Sequence, residues 1–428
     1  MYVIKTLSKI EQVGFVSTRF QGIDGVSLET RKWDYVFEKL GFQTYFFSGL
    51  SDWAPERSMV VPEAFFGFPE VAAIQEECFG KTTRTEALSG RIQALRKILK
   101  EALHEFIERW SIDLLVVENA LTIPMHIPLG LAITEVIAET GMPVIAHHHD
   151  FAWERQRFSV SCVNDYISMA FPPDLTPIAH VTINTEARRA LSYRRGLSSM
   201  IIPNVFDYSV PAPGIDDYNK DLRQALGIGE EEIFILQPTR IVARKGIESA
   251  IELVKRMGGR GIKLVISHHA RDEGTEYSQR VLDYAKLLGA DVVVRPDIIA
   301  ENRATGPAGE KIYSLFDVYP HSDFVTYPST YEGFGNAFLE AVYFKKPLFV
   351  NRYSIFASDI EPVGFETVIM DTYVTDRDVE KTWRFLKDSG YRKAAVEKNF
   401  DLAQRYFSYT VLEQKIKAIL LNFGVGLL

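Results

Sequence analysis

The chain has 428 residues, enough for two or three domains with sizeable cores, and its 46% hydrophobic and 24% charged residues match a water-soluble globular protein. A net charge of −8 argues against a dedicated nucleic-acid binder, and two cysteines, Cys78 and Cys162, without paired spacing support neither a disulfide framework nor a zinc site. With no long apolar h-region at the N-terminus and no apolar run of about 18 residues, the expectation is a cytoplasmic protein without a membrane span.

Apolar strand-like runs alternate with helical patterns throughout, which is the signature of α/β layers around parallel sheets. Near the start, Gly22-Ile-Asp-Gly25 precedes an amphipathic helix over 26–40. Glycines there would let backbone amides approach a ligand phosphate, though a plain turn explains them equally well. Strand candidates follow at 42–48, 113–118, 143–147 and 180–184, with a helical pattern over 91–110. The second closes with polar groups, from Glu118 and Asn119 to His126, at its carboxyl edge.

His147-His148-His149-Asp150 ends the third strand. Three histidines invite a metal reading, but consecutive residues of an extended chain point to opposite faces, so the three cannot all converge, and no metal is expected. The sequel brings Trp153, Arg155 and Arg157 to the same mouth. Two guanidinium groups would receive a carboxylate or phosphate and the indole a sugar ring, or the arginines would form ordinary surface salt bridges.

The stretch 209–221, with two prolines and a glycine, reads as a linker. A second α/β series then begins, with strands at 233–237, 262–267, 291–295, 324–327 and 347–351. Two Rossmann-like halves facing one another are expected, with ligands in the crevice at the carboxyl ends of the strands. The expected bounds are 1–208 for the first, 209–405 for the second, and 406–428 for a terminal helix.

Arg240 and Lys245 both follow the first strand of the second series. Converging from one loop, they would neutralise the charge growing on a departing diphosphate; a solvated basic loop including Arg244 is the plainer alternative. Further on, the strand 324–327 feeds Glu332-Gly333-Phe334-Gly335, and a helix opens near Asn336. The N–H groups of Asn336, Ala337 and Phe338 would form an anion site suited to a diphosphate. Glu340, one turn inside the helix, would accept two hydrogen bonds from a ribose diol, and Glu332 would meet the sugar end of the same ligand. Asp376-Arg-Asp378 has the form of a metal motif but reads as a helix start.

The segment Glu332 to Glu340 resembles the E-x7-E signature of the retaining glycosyltransferases of family 4, which have the two-Rossmann GT-B architecture. Arg240 and Lys245 resemble that family's diphosphate clamp, and His149 its His-Asp station beside the donor sugar. Gly22 and Gly25 resemble its N-terminal glycine loop, and Pro203-Asn204-Val-Phe-Asp207 its domain-junction turn, here without the usual glycine. Lys346-Pro347 replaces the usual Gly-Pro. The resemblance implies a hexosyltransferase that uses a nucleotide-diphosphate sugar as co-substrate, with no obligatory cofactor and a divalent metal at most stimulatory. It also implies that the last helix returns to the first domain. Arg240, Lys245, Glu332 and His149 would be catalytic; Gly22, Gly25, Gly333, Phe334, Gly335, Asn336, Ala337, Phe338 and Glu340 would hold the donor.

The run from Glu118 through Arg157 looks like a subgroup associated with small-solute glycosides, the mannosylglucosylglycerate synthases among them. That implies GDP-mannose or UDP-glucose as donor and a small anionic acceptor such as a glycerate glycoside. The family fixes no acceptor residues here; from residue type and place alone, Glu118, Asn119, Asp150, Trp153, Arg155 and Arg157 are the candidates to hold it. Rival readings are a sugar-nucleotide epimerase, a phosphorylase, a transferase acting on lipid or polysaccharide, and a non-catalytic sugar-nucleotide binder.

Overall fold

Seven short, mostly apolar segments build one parallel sheet in the computed structural model, which describes residues 10–22, 24–268, 275–300, 302–307 and 309–424. They are Gln12–Val16 (β1), Gln43–Ser48 (β2), Ser58–Val60 (β3), Leu114–Glu118 (β4), Val144–His148 (β5), Ile178–Thr182 (β6) and Met200–Ile201 (β7), in the order β3-β2-β1-β4-β5-β6-β7. β4 and β5 are buried at every position because helices cover both faces, so they read as continuous apolar runs rather than alternating ones. Helices Glu86–Trp110 and Ile127–Thr140 pack on one face, Gly25–Lys39 and Tyr409–Asn422 on the other. The two helices of the first face each start on a side-chain cap: Thr85 accepts from Leu88 N–H, and the imidazole of His126 accepts from Leu129 N–H.

A second parallel sheet has the order β10-β9-β8-β14-β15-β16, from Ile233–Arg240 (β8), Ile262–His268 (β9), Asp291–Val294 (β10), Phe324–Tyr327 (β14), Leu348–Asn351 (β15) and Val368–Met370 (β16). A small sheet of Ile299–Ala300 (β11), Ala304–Thr305 (β12) and Lys311–Ser314 (β13) lies between β10 and β14 in sequence. By contact the chain forms two compact units, one holding the described residues through Val205 and those from Tyr409 onward, the other Phe206–Ser408. Residues 425–428 of the terminal segment, and Ile23 of the glycine loop, lie outside the described residues. No helix among the described residues is long and apolar enough to cross a membrane.

Three sequence expectations need correction. β8 runs on to Arg240 through a bulge after Gln237, because Arg240 still pairs with His268. The strand placed at 180–184 lies at Ile178–Thr182, and Asn184 instead caps the helix Thr185–Arg195 by accepting from Ala187 N–H. The stretch 209–221 is not a free linker. Tyr218 Oη donates to the Ala304 and Ile312 carbonyls at 2.9 and 2.7 Å, and Asn219 is buried. By contrast Asp376–Asp378 does begin a helix: Thr375 and Asp378 form a reciprocal capping box.

In each sheet the strand order reverses direction at one place, between β1 and β4 and between β8 and β14. Those switch points leave a crevice at the carboxyl ends of the strands, where doubly wound sheets bind ligands. Glu118 ends β4, Arg240 ends β8, and Glu332 follows β14.

Candidate active site

At the switch point of the second sheet the loops after β8 and β14 are sewn together. Thr330 N–H donates to the Arg244 carbonyl at 2.8 Å. Gly246, at φ +59°, lets the first loop approach so closely that a Cβ there would lie 2.4 Å from the Pro328 carbonyl oxygen. The two loops bring charges together: Lys245 Nζ pairs with Glu332 Oε1, and Arg244 Nη1 lies 2.8 Å from Glu332 Oε2. Burial pushes the Glu332 carboxyl up, but the Lys245 and Arg244 cations outweigh it and hold the group ionised below its ordinary value. Burial lowers the Lys245 ammonium against the opposing pull of Glu332, with Arg244 and Arg240 adding like-charge repulsion. The Arg240 side chain is exposed and its guanidinium has no hydrogen-bond or ion-pair partner among the described residues.

The glycine turn that follows is anchored rather than open. Tyr353 Oη donates to the Phe334 carbonyl at 2.7 Å, and the Phe334 ring is buried against Phe407. Gly335, at φ +125°, has no room for a Cβ, which would meet Tyr353 Oη at 2.8 Å. The helix Asn336–Tyr343 then starts without a side-chain cap. Two expectations are corrected here. Phe334 is a core anchor, and Phe338 is spent twice, its N–H on the Gly335 carbonyl at 3.0 Å and its ring on Phe356 and Phe365. The uncapped first turn retains Asn336 and Ala337 as its half-buried positions. Glu340, one turn on, accepts from Tyr319 Oη at 3.1 Å and faces Tyr208, so its carboxylate is oriented by a neighbouring hydroxyl.

In the first unit the switch point holds a carboxylate between imidazoles. Glu118 is fully buried and lies beside His147 in register. Its Oε2 receives His147 Nδ1 at 3.0 Å and His149 Nε2 at 2.9 Å. Burial raises the carboxyl, yet these two imidazoles bring it down to about 2. His149 titrates above its usual range, burial being outweighed by the Glu118 hydrogen bond, whereas burial dominates at His147 and lowers it. His148 points the other way, its Nε2 to His180 Nδ1 at 2.9 Å and its Nδ1 to Thr122. Alternation along the chain thus holds: His148 faces one way, and His147 and His149 share the other face. With Glu118 they bring three ligand-type atoms within 4.8 Å, the one group among the described residues that could hold a metal ion.

The structure revises the acceptor residues. Glu118 is sealed and cannot touch an acceptor. Asn119, at φ +60°, is committed to the loop: Oδ1 accepts from His149 N–H at 3.1 Å and Nδ2 donates to Asp150 Oδ1 at 2.8 Å. Trp153 cannot offer a face to a sugar, since Phe151 stacks on it at 4.4 Å and the Arg194 guanidinium lies 5.5 Å from the ring centroid. Arg155 Nε donates to Asp150 Oδ2 at 2.8 Å, the salt-bridge alternative. Arg157, over the Phe158 ring, has no hydrogen bond or ion pair among the described residues. Asp150, Arg155 and Arg157 line a cavity of about 500 Å³ with Ile123 and Met125.

The glycine loop also differs from expectation. Gly22 N–H is taken by Asp52 Oδ2 at 2.7 Å, and Gly25 opens a helix whose first amides, Val26 and Ser27, are capped by Asp24. An anion already occupies that helix start, which disfavours a phosphate there. Asp24 also pairs with Arg19 at 2.9 Å, and both line a second cavity of about 150 Å³.

No family model matches the chain. It is similar to a mannosylglucosylglycerate synthase of Thermotoga maritima, 32% identical over 432 residues covering 91% of this chain and 95% of that one. A mannosylglucosylglycerate synthase of Petrotoga mobilis is 32% identical over 378 residues, 83% of this chain and 86% of that one. Among solved structures, a glycosyltransferase from Rickettsia africae superposes with a TM-score of 0.68 at 12% identity, covering 96% of this chain and 98% of that one. The last likeness establishes the architecture, GT-B, and nothing finer.

Proposed function

The chain belongs to the mannosylglucosylglycerate synthase family and is a hexosyltransferase of GT-B fold, from which we propose that it transfers a hexose, with retention of configuration, from a nucleotide-diphosphate sugar to a small anionic acceptor, a glycoside of glyceric acid. GDP-mannose or UDP-glucose is the donor we assign, the relatives' name favouring mannose.

The observation that carries this reading is the charge cluster at the β8–β14 switch point: Arg240, Arg244 and Lys245 around the single carboxylate of Glu332. Three cations against one anion leave a surplus of positive charge suited to a diphosphate, which the uncapped start of the helix Asn336–Tyr343 augments. As the sugar–phosphate bond breaks, negative charge grows on the leaving diphosphate, and Arg240 and Lys245 stabilise it. The acceptor hydroxyl attacks from the same face and its proton passes to the diphosphate, so no protein nucleophile is required. Glu332, neutralised by two cations, orients the donor sugar. Glu340, braced by Tyr319, takes the ribose diol. His149 stands by the transferred sugar and Arg157 receives the acceptor's negative charge. Charge stabilisation of this kind needs no obligatory metal.

The test is product analysis. The full chain is incubated with GDP-mannose or UDP-glucose and glucosylglycerate or free glycerate, and products are read by mass spectrometry and anomeric proton NMR. Transfer of one hexose with the donor's own anomeric configuration is expected. An inverted product removes the retaining mechanism, and transfer confined to lipid or polysaccharide acceptors removes the acceptor assignment.

A further inference from the structure

A buried carboxylate shared by two imidazoles is costly to build, and here its geometry constrains one reacting-site ring. Glu118 is 0% exposed, so its charge is tolerable only because donors surround it. His147 supplies one through Nδ1 and is itself fixed by Trp33, whose ring centroid lies 4.5 Å away. The other face of this small stack is His149, 4.3 Å from His147 between centroids. His149 is therefore held at three points: Nε2 on Glu118, its backbone N–H on Asn119 Oδ1, and its ring against His147. Nδ1 is the one polar edge of His149 without a bond among the described residues, and unlike His147 Nε2 it is not sealed from solvent.

From this geometry we infer that Glu118 is the positioning residue of His149, fixing the imidazole through Nε2 so that Nδ1 is the edge presented to the transferred sugar. The inference rests on the assignment of His149 to that sugar. The choice of ring nitrogen follows from the general rule that the bond made at one imidazole nitrogen sets the role of the other. With Nε2–H donated to the carboxylate, Nδ1 is the ring nitrogen left to hydrogen-bond a sugar hydroxyl, which can serve as donor or acceptor. His147 has the lesser part of supplying Glu118 with its second donor.

The experiment combines ring ¹⁵N NMR of histidine-labelled full-chain protein with kinetics, His149 being assigned by the signal lost in His149→Gln. In the unmutated protein His149 is expected to carry a proton at Nε2, whether the ring is neutral or charged; a neutral ring protonated at Nδ1 instead overturns the inference without recourse to any Glu118 variant. Glu118→Gln should lower kcat about 10²-fold, the scale of losing one oriented donor, while changing donor KM less than about threefold. His147→Gln, which still offers an N–H to Glu118, should stay within about fivefold of the unmutated kcat. Equal losses in the two variants reduce the cluster to a structural role and overturn the proposal. So does stoichiometric transition metal in the purified protein, since Glu118 would then be a ligand rather than a hydrogen-bond acceptor. Absence of any hexosyl transfer from nucleotide sugars with the ¹⁵N pattern as expected would instead refute the substrate reading and leave the Glu118–His149 geometry standing.

Discussion

Lys245 and Glu332, 87 residues apart in sequence, form one buried ion pair at the carboxyl edge of the second sheet. A carboxylate that neutralises the clamp lysine in the absence of donor must share that lysine once a diphosphate arrives. Arg244, also on Glu332, is placed to keep the carboxylate paired during the exchange.

Lys245→Ala is therefore expected to reduce kcat by about 10²-fold or more with a smaller effect on donor affinity, because the charge it meets is larger in the transition state than in the bound donor. Combined with Glu332→Gln the losses should be non-additive, as expected for residues in direct contact. Steady-state kinetics of the two single variants and the double variant decide it: normal turnover in Lys245→Ala removes the clamp.

Glu340→Gln tests ribose recognition. Tyr319 can still donate to the amide oxygen, so the helix should be undisturbed, but the second acceptor for a ribose diol is gone. Affinity for the nucleotide sugar and for the free nucleoside diphosphate should fall alike, about tenfold. Calorimetry showing both unchanged returns Glu340 to an ordinary helix position.

How much of this was legible before the structure depends on the range of the interaction. The strand ending at Tyr327, the glycines at 333 and 335 and the helix opening at Asn336 are local, and turn chemistry marks each of them. The Lys245–Glu332 pair is not local, so the sequence offers both ends without saying that they meet. Glu118 misled because a polar residue ending a strand reads as a mouth, whereas its register with His147 turns it inward. Trp153 misled because residue type says an indole can stack, not which neighbours already cover it. β3, β7 and β16 are two or three residues long, too short for periodicity, and are missed for that reason; β1, five residues long, is missed without that reason.

Acid stability should be governed by buried neutral histidines. His126 accepts from Leu129 N–H at Nδ1 and donates from Nε2 to the Glu63 carbonyl, so protonation would set N–H against N–H, and burial brings it down to about 4. His180 is lowered by burial to about 4, and His148, bonded to it, lies well below its usual value. Each folded value is depressed, so the unfolded chain binds more protons below about pH 6.5 and stability is lost as pH falls from there towards 4. His149, with a raised value, works in the opposite sense. Melting temperature should fall steadily from pH 7 to 4.5, above the range, from about 4.5 down to about 2, in which the stabilisation from ionised Glu118 is lost. His126→Asn, which keeps a capping acceptor, should flatten the slope; an unchanged slope refutes the His126 contribution.

The acceptor prediction separates two arginines that look alike in sequence. Arg155 is held by Asp150, so removing it frees a carboxylate as well as deleting a cation, and its effect should be mixed. Among the described residues Arg157 carries no such partner, and it lines the same cavity of about 500 Å³, which is ample for a small hydroxy-acid glycoside. Burial and the neighbouring Arg155 both lower its guanidinium, a strain that a bound carboxylate would relieve. Arg157→Ala should therefore raise KM for an acidic acceptor about tenfold while leaving donor hydrolysis in its absence nearly intact. A neutral isostere of the acceptor should lose affinity for the unmutated protein by a similar factor and be indifferent to Arg157→Ala. If Arg157→Ala keeps normal acceptor kinetics, the anion is received elsewhere, and the small cavity beside Arg19 and Asp24 becomes the place to look.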